Sequence, residues 1–408
     1  MKRDPAAVTA QLTALAAHAQ RRMRHCVQAQ ALAGSILQPV VDGRRLLNFC
    51  SNDYLGLAGD PRLTQALRAA ATHWGAGAGA AHLVTGHTAE HHALEEELAD
   101  FTGREAALLF STGYMANVGV ITALTQRGEV ILQDKRNHAS LIDGARQSDA
   151  RLLRYRHGDA GEAARIAAQH APSLALIASD GVFSMEGDIA PLPALAAIAQ
   201  RHAAWLLVDD AHGFGVLGAN GGGSLQAAGL SAAQVPLLMG TLGKAAGSFG
   251  AFLAGDREVI ELILQRARSY IYTTAMPAAI AAATRAALLI LREEGWRRER
   301  LQQLIAKFRD GAAARGLPLM ASSTAIQPLL VAGSARCLAV SEALRQRGFW
   351  VSAIRHPTVP AGSERLRVTL SAAHRDADVE SLLDALAESM AAIHAAADAA
   401  GDAAGDAP

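Results

Sequence analysis

Residues 240–251 read GTLGKAAGSFGA, and Lys244 stands there among small uncharged residues with no acid in the stretch. The chain has only four lysines (Lys2, Lys135, Lys244 and Lys307); the rest of its 38 basic side chains are arginine. A guanidinium stays protonated, whereas an ammonium can lose its proton on desolvation and then attack a carbonyl carbon. An amine beside glycines at a strand end suits a covalent bond to an aldehyde; a surface lysine in a glycine-rich loop is the plain alternative. Upstream, VDDAHG (208–213) ends an apolar run on Asp209 and Asp210, with His212 just beyond. Alone, such carboxylates could be helix caps. Lys244 and Asp209 together match what pyridoxal 5'-phosphate requires: an amine for its aldehyde and an acid for its pyridinium nitrogen.

Two further stretches supply the remaining needs of that cofactor. FSTGYMAN (110–117) turns through Gly113 into a helix, whose first amides bind phosphate. NHASL (137–141) follows the next apolar run and would lay His138 flat against a ring, unless its asparagine simply caps a helix. Other motifs mislead. GAGAGA (75–80) has dinucleotide-loop spacing but follows a helical pattern rather than a strand. GTLGK lacks the glycine at 238 and the hydroxyl at 245 that a phosphate loop needs, having Leu238 and Ala245. His82, His87, His91 and His92 read as helix-surface histidines, and no metal is expected.

These residues need a scaffold. Short apolar runs at 106–110, 129–133, 174–179, 205–210, 235–240 and 250–255 alternate with Ala- and Leu-rich helical stretches, which implies a largely parallel sheet covered on both faces. Ligands of such sheets sit beyond the strands' carboxyl ends, where Lys244, Asp209, His138 and Gly113 fall. Residues 287–310 read as one long charged helix leaving this unit, followed by strands near 323–333, 349–354 and 365–370. The expected division is an amino-terminal helix and extended segment over 1–57, a large domain over 58–290, an α+β domain over 291–395 and a frayed tail over 396–408. Acidic and basic side chains cancel at 38 each, so no net field favours nucleic acid or an anionic membrane. Cys26, Cys50 and Cys337 form no paired motif, which fits a reducing cytoplasm. The opening MKRDPAAVTAQLTALAAHA reads as an amphipathic helix, because Asp4, Pro5 and Gln11 interrupt any signal-peptide core. No run approaches the length of a membrane span.

From about residue 20 to 390 the chain resembles the α-oxoamine synthases. The resemblance rests on NFCSNDYLGL (48–57), LVTGHTAEHHALEEELA (83–99), LLFSTGYMAN, NHASL, SDGVFSMEGD (179–188), VDDAHGFGVLG (208–218), TLGKAAG (241–247), YIYTTAMP (270–277) and PTVPAGSERLRVTLSAAH (357–374). That family comprises fold-type I pyridoxal-phosphate enzymes that join an amino acid to an acyl thioester and release carbon dioxide. SNDYLGL and PTVPAGSERLRVTLSAAH are most similar to the branch that uses L-alanine and a pimeloyl thioester. Branches using glycine or serine with other acyl groups stay open, as does delivery on coenzyme A or acyl carrier protein. A non-catalytic nucleotide-binding module is the alternative from another class. The resemblance implies an α/β large domain with a mostly parallel sheet flanked by helices, plus a smaller α+β carboxy-terminal domain. It further implies that Lys244 holds the cofactor, that Asp209 meets the ring nitrogen and that His138 stacks on the ring. His212 and Ser184 would bond the phenolic oxygen, and Gly113, Tyr114 and Thr241 the phosphate. In a homodimer with its active sites at the subunit interface, Thr273 and Thr274 would reach the neighbour's phosphate. Asn52 and Arg367 would lie near the substrate carboxylate and Thr358 near the acyl group, with Arg22, or its rival Arg24, also meeting substrate.

Overall fold

The computed structural model describes residues 4–32 and 35–405, which divide into two compact units. The larger comprises 53–184 and 188–299; the smaller comprises the described residues of 1–52, 185–187 and 300–408. The cut at 299/300 falls within the helix Trp296–Ala314 rather than near 290. The single helix expected over 287–310 is in fact two, Ala278–Glu293 and Trp296–Ala314, broken at Glu294 and Gly295. Glycine interrupts helices because it loses the most backbone freedom on ordering.

Seven strands form the sheet of the larger unit: β1 (Ala106–Phe110), β2 (Val130–Asp134), β3 (Arg151–Tyr155), β4 (Leu174–Asp180), β5 (Trp205–Asp209), β6 (Leu237–Thr241) and β7 (Ala251–Gly255). Their order is β1-β7-β6-β5-β4-β2-β3, and only β7 runs against its neighbours. Strand β3 escapes sequence reading. It lies at the edge with Arg151 and Arg154 exposed, so it lacks the continuous apolar run of a central strand. Side chains alternate between the faces. Ile131, Leu176, Leu207, Leu237 and Leu253 enter one core, and Val130, Leu132, Ile177, Leu206, Val208 and Leu238 the other. Leu207 is fully buried, so Leu207→Ala would cost about 2–5 kcal/mol.

Three helices of this unit carry the argument below: α1 (Ala89–Thr102), α2 (Gly113–Leu124) and α3 (Ala139–Gln147). The GAGAGA stretch is irregular and mostly exposed, and it follows the helix Pro61–Trp74 rather than a strand.

In the smaller unit, a three-stranded antiparallel sheet orders Ile326–Leu330, Arg365–Thr369 and Ser352–Ile354, with Arg365–Thr369 central. The amino-terminal segment up to Asn52 belongs to this unit, while 53–57 belong to the larger one. Leu47–Asn48 pairs in parallel with Phe349–Trp350, the Thr369 N–H donates to the Phe49 carbonyl, and the Phe49 ring stacks on His374 at 4.1 Å. Val27–Leu32, Ser35–Val41 and Arg44–Arg45 form a further antiparallel sheet. The opening helix, Pro5–Ala17, is capped by Asp4 and buries none of its residues, so it lacks the buried apolar face expected of an amphipathic helix. The closing helix runs from Asp376 to Gly405 and takes in 396–405, expected to be frayed; its alanines have the highest helix propensity. Residues 406–408 lie outside the described residues.

Candidate active site

The groups named from sequence in the larger unit gather where parallel strands end. Strand β5 stops at Asp209, 3% exposed. Its Oδ2 accepts a 2.6 Å bond from Asn117 Nδ2, and its Oδ1 accepts the Ala211 N–H at 3.0 Å. Asn117 is fully buried on α2, one turn beyond Gly113, and its amide also donates to Ser140 Oγ at 2.9 Å. Ser140 lies 2.7 Å from His138 Nδ1, and its backbone N–H donates to the same nitrogen. The acceptor role of Nδ1 puts the His138 proton on Nε2. A continuous chain of polar contacts therefore joins Asp209 to His138, whose ring is exposed.

A second chain ends on the lysine. Lys244 Nζ lies 2.9 Å from His212 Nε2, and His212 Nδ1 lies 2.6 Å from the Tyr54 hydroxyl. An ammonium can only donate, so with Lys244 charged His212 Nε2 accepts and Nδ1–H donates to Tyr54. Tyr54 is 1% exposed and His212 9%, which holds both rings in place, while Lys244 is half-buried. The turn after the lysine needs Gly247: at φ +64° a Cβ would fall 2.3 Å from the Ala58 nitrogen.

Two more buried carboxylates flank Asp209. Burial, and then the Asp209 charge, push Asp180 well above the usual carboxylate range, although its Oδ2 accepts the His138 N–H at 2.6 Å. Burial lifts Asp210 to about 7, against the bond that the Ser224 N–H donates to its Oδ2.

Helix α2 begins at Gly113. Its cap Thr112 accepts the Met115 N–H through Oγ1, and the amides of Gly113 and Tyr114 have no intrahelical acceptor. The Tyr114 hydroxyl donates to Asp143 at 2.8 Å, and Thr241 Oγ1 donates to the Gly250 carbonyl. Ser184 is half-buried beyond β4. Thr273 and Thr274 lie in the irregular segment before the helix Ala278–Glu293.

The other expected substrate residues belong to the smaller unit. Arg367, 7% exposed on the central strand, donates to Asn52 Oδ1 at 3.2 Å. Arg22 and Thr358 line one cavity of about 290 Å³ with Arg355 and His356, and Arg24 does not line it. Sequence reading gave no role to Tyr54, Asn117, Ser140 or Asp180. All four sit inside quoted motifs, so motif membership was the available signal; partners 23 to 158 positions away were not. His82 and His91 are buried, at 7% and 0%, which corrects their reading as surface residues; His87 and His92 are exposed.

A family model for aminotransferase class I and II matches residues 44–386. An 8-amino-7-oxononanoate synthase of Stutzerimonas stutzeri (strain A1501) is 57% identical over 369 residues, 90% of this chain and 94% of that relative. The chain belongs to the aminotransferase class I and II family, among its α-oxoamine synthases. Solved structures agree. A serine palmitoyltransferase variant from S. paucimobilis with bound PLP–myriocin aldimine matches with a TM-score of 0.90 at 29% identity, covering 96% of this chain and all of that one. An 8-amino-7-oxononanoate synthase from Francisella tularensis matches with a TM-score of 0.74 at 31% identity, covering 84% and 97%.

α-Oxoamine synthases are fold-type I pyridoxal-phosphate enzymes, and the residues of this chain fit that group. An amine lies beside an imidazole, a carboxylate is fixed by two N–H donors, and two amides at a helix start are left for an anion. Among the described residues no helix is long and apolar enough to cross a membrane.

Proposed function

We propose that this chain condenses L-alanine with a pimeloyl thioester, giving 8-amino-7-oxononanoate, carbon dioxide and free thiol, a step of biotin biosynthesis. The observation that carries the reading is the 57% identity over nine-tenths of the chain to an enzyme of that name. Serine palmitoyltransferases share the fold to a TM-score of 0.90 but only 29% of the residues, which favours the alanine branch over the serine branch.

Pyridoxal phosphate, when bound, supplies an aldehyde for amines and a ring that spreads the electron pair released at a substrate carbon. Lys244 is the residue that would hold it and then take and return the proton at the substrate Cα, roles closed to a guanidinium. Asp209 would bond the ring nitrogen; Asn117 and the Ala211 amide fix the carboxylate so that no reorientation is needed during reaction. His138 presents its ring face, set by Ser140. With the ring proton on Nε2 and Tyr54 donating to Nδ1, His212 would donate to the phenolic oxygen, as would Ser184. The amides of Gly113 and Tyr114, with Thr241, would hold the phosphate. Arg367 and Asn52 would bind the amino-acid carboxylate, and Arg22 and Thr358 the acyl substrate. The active form is a homodimer in which Thr273 and Thr274 complete the neighbour's phosphate site.

An assay of alanine against glycine and serine, each with pimeloyl, acetyl and succinyl thioesters, tests the proposal. Alanine with the pimeloyl thioester should exceed every other pair by at least tenfold; a preference for glycine or serine would move the chain to another branch. Pimeloyl groups carried on coenzyme A and on acyl carrier protein at matched concentration identify the donor.

A further inference from the structure

We propose that His87, His92 and Glu95 form a binding site for a divalent transition-metal ion of the zinc class, apart from the Lys244 group. One ligand atom from each residue lies within 4.8 Å of the other two. His92 and Glu95 are three apart on α1 and so share a face, and His87 stands immediately before the helix cap Thr88.

The site is built from behind. His87 Nδ1 lies 3.1 Å from His82 Nδ1, so one ring donates to the other, and His87 Nε2 is left facing Glu95 Oε2 at 3.9 Å. His82 is itself held, 7% exposed and stacked on Tyr270 with ring centroids 5.1 Å apart. The other oxygen of Glu95, Oε1, accepts the Leu109 N–H at 2.9 Å, which orients the carboxylate. Such backing of ligand rings and carboxylates is what metal sites use to fix tautomer and direction. His91 is not a ligand. Its Nδ1 accepts the Thr88 N–H and its Nε2 bonds the Met276 carbonyl, so both nitrogens are engaged.

The chemistry of the donors selects the ion. Two imidazoles and one carboxylate suit zinc and its first-row neighbours, whereas calcium and magnesium take oxygen ligands. The other charged group at hand is Glu96, 3.4 Å from His92 Nε2 and exposed, which competes for that ring. Tetrahedral zinc with bonds of about 2 Å brings its ligand atoms to about 3.3 Å from one another. His92, 67% exposed, can close that gap by rotating without disturbing the core.

Zinc titrated calorimetrically into metal-stripped holoenzyme tests the proposal. Wild type should bind one zinc per chain at micromolar concentration or below, and its Tm should rise with zinc because the ion binds the folded form. His92→Ala and Glu95→Gln should each weaken binding at least tenfold and remove the rise in Tm, whereas His170→Ala should match wild type. His92 is exposed, so its variant should fold, and a zinc-free Tm equal to wild type establishes that it has. No uptake by wild type, or undiminished binding by His92→Ala, overturns the site. The absorbance of bound cofactor reports separately on Lys244, so failure here is distinguishable from failure of the catalytic reading.

Discussion

The sheets of the two units place their polar residues differently. In the seven-stranded sheet, Asp209 ends β5 and Asp180 ends β4, and the lysine follows β6 by three residues. In the three-stranded sheet, Arg365 and Arg367 occupy the central strand itself, two residues apart and so on one face. Arg365 is 1% exposed and pairs with Glu186 at 3.1 Å through Nη1, which also donates to the Met185 carbonyl, while Nε donates to the Ser363 carbonyl. A strand end lets the following turn supply bonds locally. A buried charge on the central strand must be matched largely by residues from distant sequence, and losing its partner leaves it stranded. Chemistry should therefore fail first at the carboxyl ends of the parallel strands, and stability first at the buried Arg365–Glu186 pair.

Lys244→Ala tests the first half of that contrast and should have the largest effect. Turnover should fall by about four orders of magnitude or more, with unfolding unchanged within about 1 kcal/mol. Glu186→Ala tests the second half. Leaving Arg365 charged and unpaired should cost about 3–5 kcal/mol in denaturant unfolding. A loss below about 1 kcal/mol would show that the pair does not anchor the strand. Asn117→Ala sharpens the comparison within the larger unit, because this amide serves both Asp209 and Ser140. A drop in kcat of about 10–100-fold, larger than any change in KM, would mark a positioning residue acting through those two.

The smallest effect concerns pH. His157 sits between Asp134 at 3.1 Å and Asp188 at 2.8 Å, with its ring edge-on to Phe183. Burial opposes its charge, yet the two carboxylates outweigh burial and raise it to about 9. A folded value above the unfolded one means that the pair's stabilisation is complete below about pH 6.5 and is lost as pH rises through about 9. Allowing for solvent screening, about 1–2 kcal/mol should disappear across that window, and His157→Gln should flatten it.

Six of the seven strands of the large sheet are legible in sequence because each is an apolar run followed by a turn. β3 is not, since an edge strand can carry arginines. Lys244, Asp209, His138 and His212 declare themselves by residue type beside glycines or at strand ends. Tyr54 does not, because its partner His212 is 158 positions away and only folding joins them. The His82–His87 contact was hidden for a related reason: helical spacing says which residues share a face, but not that Tyr270 would cover that face. The position of the cut between units was equally unreadable, since Trp296–Ala314 continues through it as one helix.

Borohydride reduction of the holoenzyme, followed by mapping of the fixed pyridoxyl group by peptide mass spectrometry, tests the central claim most directly. The account predicts the label on Lys244 alone of the chain's four lysines, with loss of the yellow absorbance. A label on Lys135 or Lys307, or none while activity persists, would contradict it.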